Sequence, residues 1–177
     1  EKYPLVEVHH LTKEEFDHGA TRRRGAELSD AEILVFMTQD ALPADRKLIG
    51  SLVTAIQENE KVGAAYARQL PKSDCGFLEK YTRSFNYPSE SCLKTEKDLA
   101  TRGIKTYFCS NVCAAYDHKI YNEIGGFPEH AIFNEDMIYA GWMVKKGYGV
   151  AYVAEARVYH SHNYSCAQQF HRNFDLG

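Results

Sequence analysis

The sequence predicts a single α/β domain, with one central sheet and helices packed against it. The chain has 177 residues, of which 44% are hydrophobic, and this is enough for one proper core. Strand-like and helix-like runs alternate through the first half, and the second half mixes the two. No apolar run reaches the roughly 18 residues that a membrane-spanning helix needs. The formal charge of -3 excludes the basic bias of nucleic-acid-binding proteins, so no nucleic acid partner is expected.

A short β-prone run at residues 5–11 precedes the first helix, which is predicted to open at residues 19–21. This helix carries three consecutive arginines, Arg22, Arg23 and Arg24. Positive charge at a helix start opposes the helix dipole unless an anion neutralises it. A phosphate group there would accept from helix N–H groups and from guanidinium groups together. The pattern therefore indicates an anion site, and a solvated basic turn is the alternative.

Residues 32–37 form a nearly continuous apolar run, which predicts a strand buried on both faces, as in parallel sheets. The run leads into Thr38, Gln39 and Asp40. Because ligands of open α/β sheets bind beyond the carboxyl ends of the strands, Asp40 is placed to hold a metal ion or a nucleotide. A carboxylate oxygen suits Mg²⁺ or Mn²⁺. The alternative for Asp40 is an N-cap of the helix predicted over residues 44–59.

The middle of the chain predicts less regular structure. A strand is predicted at residues 61–67, and residues 72–103 form a polar, irregular insertion with interspersed aromatic residues. A connection of this length is often functional. Residues 105–109 and 112–116 are predicted to be extended, and residues 117–123 suit a short helix.

Two adjacent carboxylates, Glu135 and Asp136, follow a turn at residues 125–128 and open a helix that stops at Gly147. An acid in a first turn is stabilised by the helix dipole and is expected to stay ionised. Such an acid suits the role of a base that takes a proton from a hydroxyl group. The alternative is a plain N-terminal cap.

Strand-like runs at residues 150–153 and 156–159 deliver His160 to another strand end, and an amphipathic tail occupies residues 166–176. A lone histidine at such a place is more often structural than functional. An aspartate and a histidine from distant strands are nevertheless an acceptable partial shell for a divalent ion that also binds phosphates. Asp40, Asp136 and His160 are therefore predicted to face one cleft.

The five cysteines are an odd number without a repeated C-x-x-C pair, which favours a reduced, cytoplasmic chain over a disulfide framework or a zinc ribbon. A metal-dependent hydrolase built on His160 and His162 is a rival interpretation. It would need a tighter ligand motif such as H-E-x-x-H, and the sequence has none.

Short motifs along nearly all of the chain carry a resemblance to a known family. They lie at residues 16–22 (FDHGATR), 38–43 (TQDALP), 67–69 (ARQ), 84–88 (SFNYP), 110–111 (SN), 124–127 (IGGF), 134–137 (NEDM), 160–165 (HSHNYS) and 172–177 (RNFDLG). On these motifs the sequence resembles the family 2 glycosyltransferases with the GT-A fold, and within them the bacterial rhamnosyltransferase group. The Gly-Gly-Phe and Glu-Asp motifs are specific for the superfamily, and the first two motifs point to rhamnosyl transfer.

The resemblance implies an inverting glycosyltransferase that moves L-rhamnose from a nucleotide-diphosphate donor, dTDP-rhamnose, to a hydroxyl group. The acceptor would be a saccharide or a lipid-linked molecule in the synthesis of a cell-surface polysaccharide. The work would take place in the cytoplasm, with peripheral association at the inner face of the membrane. A non-catalytic module that binds nucleotide sugars or partner proteins is the alternative.

The same resemblance implies residue roles. Asp136 matches the general base, and Glu135 orients it or touches the acceptor. Asp40 and His160 would hold Mg²⁺ or Mn²⁺. The residues implied to face the donor are His18, Arg22, Gln39 and Asp40. The residues implied to face the acceptor are Arg68 and Asn111.

The sequence also departs from the family pattern. Thr38 stands where family members have the first acid of Asp-x-Asp, and Asn173 replaces the Trp of processive relatives, so a processive polymerase is not indicated. The family's first strands, which bind the nucleotide base, have no match. We therefore expect residues 1–177 to form a single glycosyltransferase domain that lacks this N-terminal portion, with a central, mostly parallel sheet flanked by helices.

Overall fold

The computed structural model describes residues 3–131 and 133–176, with the side chains of residues 173, 175 and 176 left aside. The described strands are β1 (Ile33–Met37), β2 (Leu42–Pro43), β3 (Val62–Leu70), β4 (Cys92–Lys94), β5 (Cys113–Asp117) and β6 (Gly149–Tyr159). The described helices are α1 (His18–Glu27), α2 (Leu48–Gln57), α3 (Phe77–Asn86), α4 (Leu99–Arg102), α5 (His118–Ile124), α6 (Glu135–Lys145) and α7 (Cys166–Leu176). The predicted α/β class is confirmed. Part of the last quoted motif, residues 172–177, lies outside the described side chains, including that of Asn173.

The six strands form one mixed sheet in the order β1-β5-β3-β6-β2, with β4 also paired to β6. Of the described pairings only β3 with β6 is parallel, and the other four are antiparallel. The prediction of a mostly parallel sheet is therefore wrong for the described residues. The reason is that β5 enters from the opposite direction and separates β1 from β3, while β2 and β4 both add to β6 in reverse.

Strand β1 pairs with β5 along one side, and burial alternates along it. Leu34 and Phe36 face the core, whereas Val35 and Met37 are exposed to 38% and 47%. The prediction that this strand is buried on both faces is wrong in the described structure, because Val35 and Met37 on its second face are exposed.

Two apolar layers form the core, one on each face of the sheet. Along β3, Ala64 and Tyr66 belong to one layer, while Ala65 and Ala67 belong to the other, as alternation along a strand requires. Helices α5 and α6 cover the first layer, which is rich in aromatic rings, and α2 covers the second. This packing fixes α6 against the sheet and sets where its first turn lies.

Several local predictions differ from the structure. Residues 105–109 were predicted to be extended, but Gly103–Tyr107 form a 3-10 turn. The insertion at residues 72–103 was predicted to be irregular, but it holds α3, β4 and α4. Residues 150–153 and 156–159 form the single strand β6, since Glu155 points outward and accepts a bond from the Ser91 hydroxyl.

The predicted helix at residues 44–59 is shorter, at Leu48–Gln57, because the Ala44 N–H is bonded to the carbonyl of Arg157 in β6. The short helix predicted at residues 117–123 is confirmed as α5, with Asp117 as its N-cap. Among the described residues, none of the helices combines the length and apolar character that a bilayer crossing demands.

Candidate active site

A cleft of about 600 Å³ opens where β1, β3 and β6 end and where α6 begins. Its lining includes Asp40 after β1, His160 after β6, and Asp136 in the first turn of α6. The structure therefore places these three side chains in one cleft, as the sequence predicts. A metal ion held by the first two side chains and a base at Asp136 could therefore act on the same substrate.

On one wall Asp40, His160 and His162 converge, with ligand atoms that all lie within 4.8 Å of one another. The Asp40 Oδ2 atom lies 3.4 Å from His160 Nε2 and 3.6 Å from His162 Nε2, and the two Nε2 atoms are 3.1 Å apart. A shared ion with bonds of about 2.1 Å would separate neighbouring ligand atoms by roughly 3.0–3.5 Å. The three residues therefore fit a divalent cation.

His162 is a third candidate ligand, which the family resemblance did not include and which the sequence analysis considered only for a rival hydrolase. The signal was present, because His160 and His162 are two residues apart directly after a strand. Side chains at that spacing along an extended backbone point to the same side.

The charges of this wall suit metal binding, which needs an ionised carboxylate and neutral imidazoles. Burial, with a smaller effect of the Arg83 charge, lowers the pKa of His160 to about 4. Burial also lowers the pKa of His162. Burial acts to raise the pKa of Asp40, but its polar surroundings outweigh burial and hold the pKa below its ordinary value. Asp40 is not a helix cap, since the N-cap of α2 is Lys47.

On the other wall the two carboxylates of α6 have different environments. Glu135 is only 5% exposed, and it accepts bonds from Arg22 Nη1 at 2.7 Å and from Asn111 Nδ2 at 3.0 Å. The hydroxyl of Tyr116 donates to Asn111 Oδ1 at 2.8 Å and so orients the amide. The anion that neutralises Arg22 in this structure is therefore Glu135. Arg22 is not part of a freely solvated basic turn, which was the alternative considered above.

Asp136 is half-buried and accepts two backbone bonds. Its Oδ2 atom accepts from the Asn111 N–H and its Oδ1 atom from the Met137 N–H, both at 2.8 Å. Burial, followed by the charge of Glu135, raises the pKa of Asp136 to about 6. With a pKa of about 6 this acid is still mainly ionised at neutral pH, although desolvation outweighs the N–H donors and raises the pKa above its ordinary value. The N-cap of α6 is Asn134, so neither Glu135 nor Asp136 is the plain cap considered as the alternative.

The remaining predicted site residues divide between the cleft and its surroundings. His18 lines the cleft, with its ring near Phe133 and its Nδ1 atom 3.3 Å from Arg22 Nη1. Asn111 also lines it, although its side chain is buried behind the carboxylates. Gln39 is exposed and outside the lining, and Arg68 instead donates from Nε to the carbonyl of Tyr87. The roles implied for these residues stay predictions.

Helix α1 presents His18 and Arg22 to the cleft because it packs closely on the turn before α6. A Cβ atom at Gly19 would lie 1.9 Å from the carbonyl oxygen of Pro128. Only glycine permits this approach. Asp17 caps the helix by accepting from the Ala20 N–H at 2.8 Å.

Comparison with known proteins identifies similar glycosyltransferases. Residues 1–125 match the model of glycosyl transferase family 2. The O-antigen chain rhamnosyltransferase RfbN of Salmonella typhimurium is 43% identical over 173 residues, covering 97% of this chain and 55% of that protein. The O-antigen chain rhamnosyltransferase WbaN of Salmonella anatum is 41% identical over 168 residues, covering 94% of this chain and 53% of that protein. The chain thus spans about half the length of these curated relatives.

Solved structures share the fold. The mannosyltransferase PcManGT from Pyrobaculum calidifontis, in complex with GDP-Man and Mn²⁺, has a TM-score of 0.62 at 16% identity, over 90% of this chain and 41% of that chain. Residues 1-349 of TarS from S. aureus, in complex with UDP-GlcNAc, have a TM-score of 0.57 at 15% identity, over 85% of this chain and 40% of that chain. At these identities the likeness establishes a GT-A type fold.

Proposed function

The chain belongs to glycosyl transferase family 2, and we propose that it carries out inverting transfer of L-rhamnose from dTDP-rhamnose to a hydroxyl group. The acceptor in this proposal is a saccharide or a lipid-linked molecule of cell-surface polysaccharide synthesis. The observation that carries the proposal is the cleft, with Asp40, His160 and His162 on one wall and Asp136 on the other. The choice of sugar is supported by the names of the two Salmonella relatives.

The wall formed by Asp40, His160 and His162, called the metal wall below, would face the donor. Asp40, His160 and His162 would hold a divalent ion, whose positive charge offsets the charge that develops on a leaving diphosphate. The two imidazoles favour Mn²⁺ over Mg²⁺, because Mg²⁺ prefers oxygen ligands. The presence of GDP-Man and Mn²⁺ in the mannosyltransferase neighbour supports this assignment. His18 and Arg22 line the same cleft and are proposed to contact the donor.

The opposite wall, with Glu135 and Asp136 and called the carboxylate wall below, would face the acceptor. The acceptor oxygen forms a bond to the anomeric carbon while the bond from that carbon to the diphosphate oxygen breaks, and the electron pair leaves with the diphosphate. Asp136 takes the proton from the acceptor hydroxyl. Attack from the face opposite the leaving group inverts the anomeric configuration. Glu135 and Asn111 hold the base in place through the bonds described above.

The test is release of nucleoside diphosphate and formation of a glycosylated acceptor by the full-length protein, measured with a panel of nucleotide sugars. We expect turnover with dTDP-rhamnose and at least tenfold less with the UDP and GDP sugars of the panel. Equal or greater turnover with another sugar would contradict the donor assignment. Binding of nucleotide sugars without transfer to any acceptor tried would instead favour the non-catalytic alternative.

A further inference from the structure

Gln69, at the end of β3, joins the two walls of the cleft and is not used by the proposed chemistry. It is 2% exposed, and both ends of its amide are bonded. Its Oε1 atom lies 2.9 Å from His160 Nδ1 and accepts a bond from Arg83 Nη1. Its Nε2 atom donates to the hydroxyls of Tyr87 at 2.5 Å and of Ser110 at 2.9 Å.

These contacts determine which way the amide points. A guanidinium group has donors only, so the Gln69 atom that faces Arg83 must be the oxygen. Arg83 is itself held by Glu79, at 2.6 Å from Nη2 to Oε1. The same Gln69 oxygen faces His160 Nδ1, and therefore Nδ1 must carry a proton.

The proton on Nδ1 decides what the rest of the His160 ring can do. When Nδ1 donates to Gln69, the lone pair of the neutral ring is on Nε2. That nitrogen points at Asp40 and His162, at the distances given above. A metal-binding histidine usually has its second nitrogen held in this way, because the outer partner fixes both tautomer and ring orientation.

We propose that Gln69 is a positioning residue that holds His160 in its Nδ1–H form and aims Nε2 at the metal site. This assignment rests on the proposed metal role of His160. Gln69 also ties the metal wall to the carboxylate wall, because it binds Ser110 while the N–H of the next residue, Asn111, binds Asp136. A shift of the Gln69 amide would therefore disturb the metal ligand and the base together.

The test uses the full-length protein, first without metal. Nitrogen NMR of the histidine rings at pH 8, with His160 assigned from a His160→Gln variant, reports which ring nitrogen carries the proton. We expect Nδ1–H in the natural protein and in Gln69→Glu, whose carboxylate can still accept from Nδ1 and from Arg83. We expect a mixture of tautomers in Gln69→Leu, which has a similar volume and no acceptor. Ser110→Ala is the control, because it breaks the link to the loop and leaves the bond to His160.

The second readout is Mn²⁺ affinity by calorimetry. Loss of the outer partner in Gln69→Leu should weaken Mn²⁺ binding by about 10–100-fold, and Gln69→Glu should restore it. A pure Nδ1–H form in Gln69→Leu, or an Nε2–H form in the natural protein, would overturn the assignment. The spectrum of the natural protein decides this even if Gln69→Leu does not fold. If neither the natural protein nor Gln69→Glu bound Mn²⁺, the proposed metal role of His160 would fail. The tautomer spectra would still show whether Gln69 sets the protonated nitrogen of His160.

Discussion

At the residue scale, Asp136 has neighbours that act on its pKa in opposite directions. The N–H groups of Asn111 and Met137 favour its ionised form, while burial and Glu135 disfavour it more strongly. The resulting pKa of about 6 leaves the carboxylate ionised at neutral pH and more basic than an exposed aspartate. A base of this strength is well matched to proton abstraction near pH 7.

The pH dependence of transfer follows from this pKa. As the pH falls through about 6, Asp136 gains a proton and can no longer accept one, so kcat/KM should fall about tenfold for each further pH unit. The measurement is kcat/KM from pH 5 to 8 at two saturating Mn²⁺ concentrations. If protonation of the base lowers kcat/KM, the midpoint pH is the same at both Mn²⁺ concentrations. If loss of the metal lowers kcat/KM, the midpoint pH differs between them. A midpoint near pH 4 would contradict the raised pKa.

Replacement of Asp136 by asparagine tests the base itself. Asp136→Asn keeps the side-chain shape and removes the proton acceptor, so transfer should fall by about 10²–10⁴-fold. Donor affinity should stay within about threefold of the natural protein, since the metal wall is untouched. Asp30→Asn, at an exposed position away from the cleft, serves as the control. Normal turnover of Asp136→Asn would show that another group takes the proton.

The ion pair between Arg22 and Glu135 should make a measurable contribution to stability. Arg22→Met leaves a buried carboxylate without its cation and should lower the free energy of unfolding by about 3 kcal/mol. Arg22→Met combined with Glu135→Gln should recover most of this loss, because the unpaired buried charge of Glu135 is removed as well. The measurement is urea denaturation at pH 7.

Arg23→Met is the matched control for that ion pair. The contacts of Arg23 with Glu27 and Glu129 are longer, at 3.6 and 3.7 Å, and more exposed. Removal of such surface pairs should cost under about 1 kcal/mol. Equal losses in Arg22→Met and Arg23→Met would show that the buried pair has no special weight.

At the element scale, the position of α1 depends on its contact with the turn before α6. Gly19→Ala would place a methyl group against the Pro128 carbonyl, so α1 must move and carry His18 and Arg22 with it. We expect a loss of about 1–3 kcal/mol or more in the free energy of unfolding, measured by urea denaturation.

Gly25→Ala, in the same helix, provides the opposite expectation. Its new methyl group would meet only Phe36 Cε1, at 3.9 Å. Alanine is the better helix former, so this variant should gain about 0.5–1 kcal/mol. If Gly19→Ala were as stable as Gly25→Ala, the close approach of α1 to Pro128 would be refuted.

Elements with a strong local pattern could be predicted from the sequence. The apolar run before Asp40 gives β1, and the periodicity after Glu135 gives α6. Strand direction could not be predicted in this way, because the same apolar run suits a parallel or an antiparallel neighbour. Helix α3 was missed although Phe77, Tyr81 and Phe85 recur at helical spacing, and these side chains remain exposed in the structure.

At the scale of the whole molecule, the sequence predicted site residues that directly follow strands or open a helix, but not the partners that surround them. The sequence shows that Asp40 and His160 each follow a strand-like run, while the strand pairing in the structure shows that both strands end on one side of the sheet. The partners that set their chemistry lie far away in the chain: Arg22 reaches Glu135 across 113 positions, and Gln69 reaches His160 across 91. Neither contact has a local sequence signal, because each depends on how α1 and β3 pack.

In the proposed function, a single cleft holds the donor through a metal ion and acts on the acceptor through Asp136. The most direct test is the affinity of full-length Asp136→Asn protein for dTDP-rhamnose, measured by calorimetry in Mn²⁺ and again in EDTA. Because this variant should consume the donor about 10²–10⁴-fold more slowly, binding is measured nearly free of turnover. We predict clear binding in Mn²⁺ and at least tenfold weaker binding in EDTA. Equal affinities in the two solutions would contradict the metal-bound donor and, with it, the proposed use of the cleft.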